Sequence, residues 1–257
     1  MKALVLAAGY ATRLYPLTKD RPKPLLEVGG RPLVDWILDQ IGQVREVEEV
    51  HLVTNAKFAP AFRSWAPPGL VVHDDGTASE ADRLGAIGDL AFVIERAGWA
   101  REDLLVIAGD NLFDFSLADF VAFWRAKGRA SALALHDVGD RALARQYGVV
   151  ELAGDGRVVS FLEKPDDPPS TLAATATYVF HRDHAALVSR YLEDGNSPDQ
   201  PGRFVAWLQA REPVYGYRFD GAWLDIGDRE QLREADERAL EWRRGREAGT
   251  EARPPSG

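Results

Sequence analysis

The sequence predicts an α/β protein built on a mostly parallel central sheet with helices on both faces. Short apolar runs of strand length alternate with longer amphipathic stretches, the rhythm of successive βαβ units. The run Leu104-Leu105-Val106-Ile107-Ala108 shows no polar alternation, as a central strand covered on both faces requires. A Gly-rich turn further along adds a small antiparallel insertion.

Taken in order, residues 3–8 predict the opening strand, 33–44 a helix, 50–54 a strand, 84–97 a helix, 104–108 the central strand and 117–127 another helix. Residues 148–152 and 157–162 flank Ala153-Gly154-Asp155-Gly156 and predict a hairpin. The loop Asp166-Asp167-Pro168-Pro169-Ser170 leads to a strand over 175–180 and a helix over 183–192, which Gly195-Asn196-Ser197-Pro198-Asp199 breaks. An amphipathic segment at 204–209, a strand at 214–219 and the strand end Trp223-Leu224-Asp225 feed a helix over 228–240. Residues 1–240 read as a single domain, and 241–257, which lose their apolar residues after Trp242, as a frayed tail.

Composition excludes several classes. With 31 Lys and Arg against 40 Asp and Glu, the formal charge of −9 argues against a nucleic-acid partner. There is no cysteine, so no disulfide framework, thiolate metal site or cysteine nucleophile is available. No apolar stretch approaches the length of a spanning helix, and residues 1–9 are too short for a secretory apolar region. A cytoplasmic protein without a membrane partner is the expectation.

The chemistry begins where the opening strand ends, in Leu6-Ala7-Ala8-Gly9-Tyr10-Ala11-Thr12-Arg13. Small residues there let backbone N–H groups approach a polyphosphate, and Arg13 can stabilise charge on transferring phosphoryl oxygens. The turn lacks the Gly-Lys-Ser/Thr of a Walker A loop. Ala11 and Leu14 stand where a dinucleotide fingerprint needs its second and third glycines, which argues against a dinucleotide-dependent oxidoreductase. Ten residues after Arg13, Lys23 lies between Pro22 and Pro24, a pattern that predicts an extended backbone path. Asp110 and Asp225 each follow an apolar strand, which predicts both at the carboxyl edge of one sheet, where open α/β folds bind ligands. One or two carboxylates completed by phosphate oxygens and waters suit magnesium.

Together with Val28-Gly29-Gly30-Arg31-Pro32-Leu33, the stretch over 6–26 resembles the signature of the sugar-1-phosphate nucleotidylyltransferases. That family includes glucose-1-phosphate thymidylyl- and uridylyltransferases and mannose-1-phosphate guanylyltransferases. Later segments agree in order: Gly109-Asp110-Asn111, Tyr147-Gly148-Val149-Val150-Glu151, Glu163-Lys164-Pro165 and Trp223-Leu224-Asp225-Ile226-Gly227, so the likeness covers residues 1–240. It implies a Rossmann-like fold of the nucleotide-diphospho-sugar transferase type. It also implies nucleotide contacts from Leu6, Ala8, Gly9, Thr12, Arg13 and Gly109, and catalytic roles for Arg13, Lys23, Asp110 and Lys164. Asp110 and Asp225 would hold Mg2+. Tyr147, Gly148, Glu163, Lys164, Thr175 and Trp223 would bind the sugar 1-phosphate.

The reaction so implied joins a nucleoside triphosphate to a hexose 1-phosphate with release of pyrophosphate, and needs no general base because the attacking phosphate is already anionic. Glucose 1-phosphate with dTTP or UTP is the favoured pairing and mannose 1-phosphate with GTP the alternative. A cytidylyltransferase for another phosphorylated acceptor and a non-catalytic nucleotide-sugar-binding regulatory subunit stand further off. The regulatory subunit has no need to keep Arg13, Lys23, Asp110, Lys164 and Asp225 together.

The chain departs from the family pattern in places. Ala11 and Ala176 stand where glycines are common, and residues 73–87 carry acidic residues and Arg83 in place of the Gln with which thymidylyltransferases read the base. The C-terminal stretch is short for the tetrameric thymidylyltransferases, so a monomer or homodimer is expected. His181 and His184 lack a third ligand and read as capping or solvated residues.

Overall fold

The computed structural model describes residues 1–251, with side chains as far as residue 245. The chain runs through β1 (Lys2–Leu6), β2 (Glu27–Val28), β3 (Arg31–Pro32), α1 (Leu33–Ile41), β4 (Glu49–Thr54), α2 (Ala59–Trp65), β5 (Leu70–Asp74) and α3 (Ala86–Ala97). Its middle holds β6 (Leu104–Ala108), β7 (Asn111–Phe113), α4 (Leu117–Ala126), β8 (Ser131–Asp137), α5 (Arg141–Ala144), β9 (Gly148–Leu152), β10 (Val158–Glu163) and β11 (Leu172–Phe180). Then follow α6 (Arg182–Ala185), α7 (Leu187–Glu193), α8 (Pro201–Gln209), β12 (Val214–Arg218), β13 (Trp223–Asp225) and α9 (Arg229–Glu251).

Nine strands form one mixed sheet. Its spine is β10-β9-β11-β6-β1-β4-β5, and β8 and β12 continue from β11. β1 pairs in parallel with both β4 and β6, placing the ends of the opening and central strands side by side, Leu6 opposite Ala108. Side-chain alternation along these strands covers both faces. Val5, Leu105 and Ile107 pack with α1, α2 and α4, while Leu4, Leu104 and Val106 pack with α3, α7 and α8. The predicted hairpin of β9 and β10 is antiparallel and joins the main sheet where Ala173 of β11 pairs with Val149.

Three details depart from the sequence expectations. Asp225 does not reach the site on the main sheet: β13 pairs antiparallel with β7 in a separate two-stranded sheet, with Asp225 opposite Asn111. A small core of Val28, Leu33, Trp36, Leu112, Ile226, Ala235 and Ala239 clamps that sheet between the β2–β3 turn and α9. Lys23 lies in a 3-10 turn over Lys23–Leu25, and only Pro22 before it is extended. Pro24 has its φ preset for such a first turn, so it helps to start the turn that it was expected to prevent. The helix expected over 183–192 divides into α6 and α7. Trp242 of α9 packs edge-on against Trp36, and of the tail expected over 241–257, residues 252–257 lie outside the described residues.

Candidate active site

The ends of β1 and β6 open into a cleft of about 520 Å³, and a second compartment of about 220 Å³ adjoins it. Asp110, Ala176, Gln200, Pro201 and Asp225 line both, so they mark the junction. Leu6, Ala8, Gly9, Thr12, Arg13 and Lys23 line the larger cleft. Tyr147, Gly148, Glu163, Lys164 and Trp223 line the smaller one.

The opening turn is shaped by Ala11, which adopts a left-handed conformation with φ of 47°. Its carbonyl accepts from the Leu14 N–H at 3.0 Å and from the Thr18 hydroxyl at 2.7 Å, which pins a short 3-10 turn over Thr12–Leu14. Thr12 and Arg13 remain exposed to the cleft, and a Cβ added to Gly9 would project into open space. The backbone at Gly9 is therefore free for close approach by a ligand. Gly109 does not line the cleft. Its N–H donates to the Leu6 carbonyl at 2.8 Å, and an added Cβ would lie 3.0 Å from that oxygen, so it serves the close packing of β6 on β1.

Across from the turn, the buried Lys23 ammonium donates to Asp110 Oδ2 at 2.9 Å. Asn111 donates to Asp110 Oδ1 at 3.0 Å and accepts from the Trp223 indole N–H at 2.7 Å. Trp223 stands edge-on to Tyr147, 4.9 Å between ring centres. A continuous polar chain thus runs from the larger cleft to the wall of the smaller compartment. Burial and the charge of Asp110 push the Asp225 carboxyl up to about 6, against the opposing pull of Lys23, Lys164 and Arg13.

Two facing carboxylates whose repulsion raises one of them form a site that a cation would relieve. Among the described residues no group of three or more His, Asp or Glu closes into a metal site. The remaining ligands would have to be phosphate oxygens and waters, a donor set that fits magnesium.

In the smaller compartment Glu163 is half-buried, and burial raises its carboxyl above the usual range while Lys164 and Arg203 oppose the rise. Gly148 is sterically required, because a Cβ there would come within 2.5 Å of the Phe161 ring. Thr175 is buried and donates its hydroxyl to the Ala134 carbonyl at 3.1 Å, away from both compartments. Its neighbour Ala176 lines the junction instead, at a bulge in β11 with φ of 51°. Among the described residues, the non-glycine positions with positive φ are Ala11, Lys164 and Ala176, and all three line the two compartments. Strained backbone gathered in this way marks a functional site.

Sequence reasoning missed Gln200, Pro201 and Gly202, which form the start of α8 and carry no motif. It also missed Asp89, although an acid beside the apolar positions Ile87, Leu90, Val93 and Ile94 of a helix is itself a signal. His181 and His184 hold no metal-binding arrangement: His181 accepts from the Asp183 N–H as a cap, and His184 is buried against Ser131 at 2.8 Å.

The two compartments lie at the strand ends of an open α/β sheet, where such folds bind ligands. Residues 2–241 match the model of the nucleotidyl transferase family, and the chain belongs to that family. It is 31% identical to the UTP–glucose-1-phosphate uridylyltransferase AglF of Haloferax volcanii, over 94% of this chain and 97% of the relative. It is 34% identical to a mannose-1-phosphate guanylyltransferase of Mycobacterium tuberculosis, over 90% of this chain but 62% of the relative, which is therefore the longer protein. A Bacillus anthracis structure assigned as a glucose-1-phosphate thymidylyltransferase superposes with a TM-score of 0.77 at 22% identity, covering 94% of this chain and 96% of that one, and shows the same fold.

Proposed function

We propose that this protein transfers a nucleotidyl group from a nucleoside triphosphate to a hexose 1-phosphate, with magnesium. The observation that carries this reading is the junction itself, where the cleft lined by Arg13 and Lys23 and the smaller compartment lined by Glu163 and Lys164 share Asp110 and Asp225. The triphosphate lies along the opening turn with its charge on Arg13 and Lys23. The sugar lies between Glu163 and Trp223, its phosphate held by Lys164. An oxygen of that phosphate attacks the α-phosphorus in line, a new P–O bond forms, and the bond to the β-phosphate breaks to release pyrophosphate.

The nucleophile arrives as an anion, so the chain's work is to bring two repelling phosphates together and to stabilise the spread of charge. Asp110 and Asp225 would hold the Mg2+, which supplies further charge neutralisation. Glucose 1-phosphate with dTTP or UTP is the pairing favoured by the sequence, and mannose 1-phosphate with GTP the alternative. Magnesium-dependent pyrophosphate release, measured for each nucleoside triphosphate with each of the two sugar phosphates, tests the reading. Release confined to one or two pairs supports it, and silence across all pairs from a folded protein rejects it.

A further inference from the structure

Both carboxylate oxygens of Asp110 are engaged by the chain itself. Oδ1 accepts from the Asn111 amide at 3.0 Å and Oδ2 from the Lys23 ammonium at 2.9 Å. The lysine contact is built into the fold. Lys23 opens a 3-10 turn in which the Leu25 N–H donates to the Pro22 carbonyl at 2.9 Å and the Leu26 N–H to the Lys23 carbonyl at 3.0 Å. Pro24 of that turn lies against Gly109, where an added Cβ would come within 3.3 Å of the proline ring. The turn therefore holds the lysine stem beside the end of β6, and its side chain is 9% exposed against 40% for Asp110. A buried ammonium keeps its anion until another anion takes over.

Magnesium would need that same carboxylate, with Asp225 opposite. Arg13 and Lys23 line the larger cleft and Lys164 the smaller compartment. Among the described residues whose charges act on Asp225 are Asp110 and these three, so the acid pair faces three cations. A bare divalent ion approaching the pair meets a surplus of positive charge, and its attraction to the acids is opposed at close range. A triphosphate reverses the balance. It brings more negative charge than that surplus, and its oxygens give Lys23 a second partner in the cleft that the lysine already lines. Magnesium, for its part, favours sites completed by phosphate oxygens over cages made of protein alone.

We propose that the Lys23 ammonium holds the place of magnesium on Asp110 in the free protein, so that the protein refuses the metal alone and accepts it together with a triphosphate. The proposal rests on the transferase reading above and deepens it. Lys23 then serves twice. Before the nucleotide arrives it neutralises Asp110, and afterwards it turns to the phosphates and releases Asp110 Oδ2 as a ligand. The exchange swaps one ion-pair partner for another and makes or breaks no covalent bond.

The test uses Mn2+ as the probe and follows water proton relaxation, which strengthens when the ion binds to a slowly tumbling protein. The wild type, Arg13→Met and Lys23→Met, or Lys23→Gln if methionine prevents folding, are titrated without nucleotide. The wild type is titrated again with UTP, dTTP and GTP. Without nucleotide the wild type should show no enhancement up to about 1 mM Mn2+, and the Lys23 variant should bind the ion at least about tenfold more tightly. Arg13→Met removes the same charge without freeing an oxygen of Asp110, so its gain should stay below about threefold. With a nucleotide that it accepts, the wild type should enhance relaxation beyond that of the Mn2+–nucleotide complex alone. Wild-type binding of Mn2+ tighter than about 1 mM without nucleotide overturns the proposal whether or not a Lys23 variant folds. So does an unchanged affinity in the Lys23 variant. Equal gains in the Lys23 and Arg13 variants overturn it too, since any nearby charge would then act alike. No enhancement with any nucleotide counts against the transferase reading instead, and the titrations without nucleotide still decide on Lys23.

Discussion

The ammonium of Lys23, 7% exposed, donates to Asp110 Oδ2 at 2.9 Å, so the acid at the end of the central strand carries a counter-charge before any ligand arrives. Replacing it by an amide leaves a buried ammonium without its anion and removes half of the acidic pair at the junction. Asp110→Asn and Asp225→Asn should each lower turnover by roughly a hundredfold or more, the scale of losing one key charge-stabilising group. Pyrophosphate release at saturating substrates measures this, and turnover unchanged in both variants would remove the pair from the chemistry.

Glu163 offers a separate test because it lines only the smaller compartment. Its half-buried carboxylate is flanked by Gly148 and Gly202, where an added Cβ would crowd Oε2. A buried charged acceptor without its ligand has a strong hydrogen bond to gain from a sugar hydroxyl. Glu163→Ala should raise KM for the sugar 1-phosphate about tenfold or more. The KM for the nucleotide should move far less. Initial rates with one substrate varied at a time separate the two, and equal changes in both would place Glu163 outside the sugar compartment.

Much of this was legible in the residues themselves. The unbroken apolar run over Leu104–Ala108 marked the central strand, and the small residues after β1 marked the turn beside it. The route by which Asp225 arrives was not legible. A three-residue strand such as β13 has too little periodicity to show whether it pairs with the main sheet or, as here, with the short β7. Thr175 was misplaced by a single residue for a related reason. The bulge between Ala174 and Tyr178 interrupts the alternation of β11 and turns Ala176 toward the cleft, while Thr175 faces inward to Ala134. Asp89 was signalled only by its place beside the apolar positions of α3, and its approach to Asp75, more than ten residues earlier in the chain, is a tertiary contact that periodicity does not show.

Ala11 is held at φ of 47° by its two carbonyl acceptor bonds. A left-handed conformation costs an L-residue with a Cβ about 1–2 kcal/mol, and glycine returns part of that gain as chain entropy of about 0.5–1 kcal/mol. Ala11→Gly should therefore stabilise the fold by about 0.5 kcal/mol. In a protein of this size the expected rise in Tm is on the order of 1–2 °C. Thermal unfolding of the ligand-free protein checks it, and a lower Tm would show that the turn depends on the methyl group.

Burial and the charge of Asp75 raise the Asp89 carboxyl to about 8, from an ordinary value near 3.8 in the unfolded chain. Between those two values the folded protein holds a proton that the unfolded chain has released, so stability falls as pH rises. The contribution of Asp89 is fully present below about 3.8 and is lost by the time pH passes about 8. An amide at this position neither titrates nor repels Asp75. The Tm of Asp89→Asn should thus gain on that of the wild type steadily from pH 5 to pH 8 and level off above it, in the absence of nucleotide. Other groups titrate alike in both proteins, so the difference between the two melting curves isolates this one. A difference that stays constant across the range would mean that Asp89 is ionised in the folded state throughout.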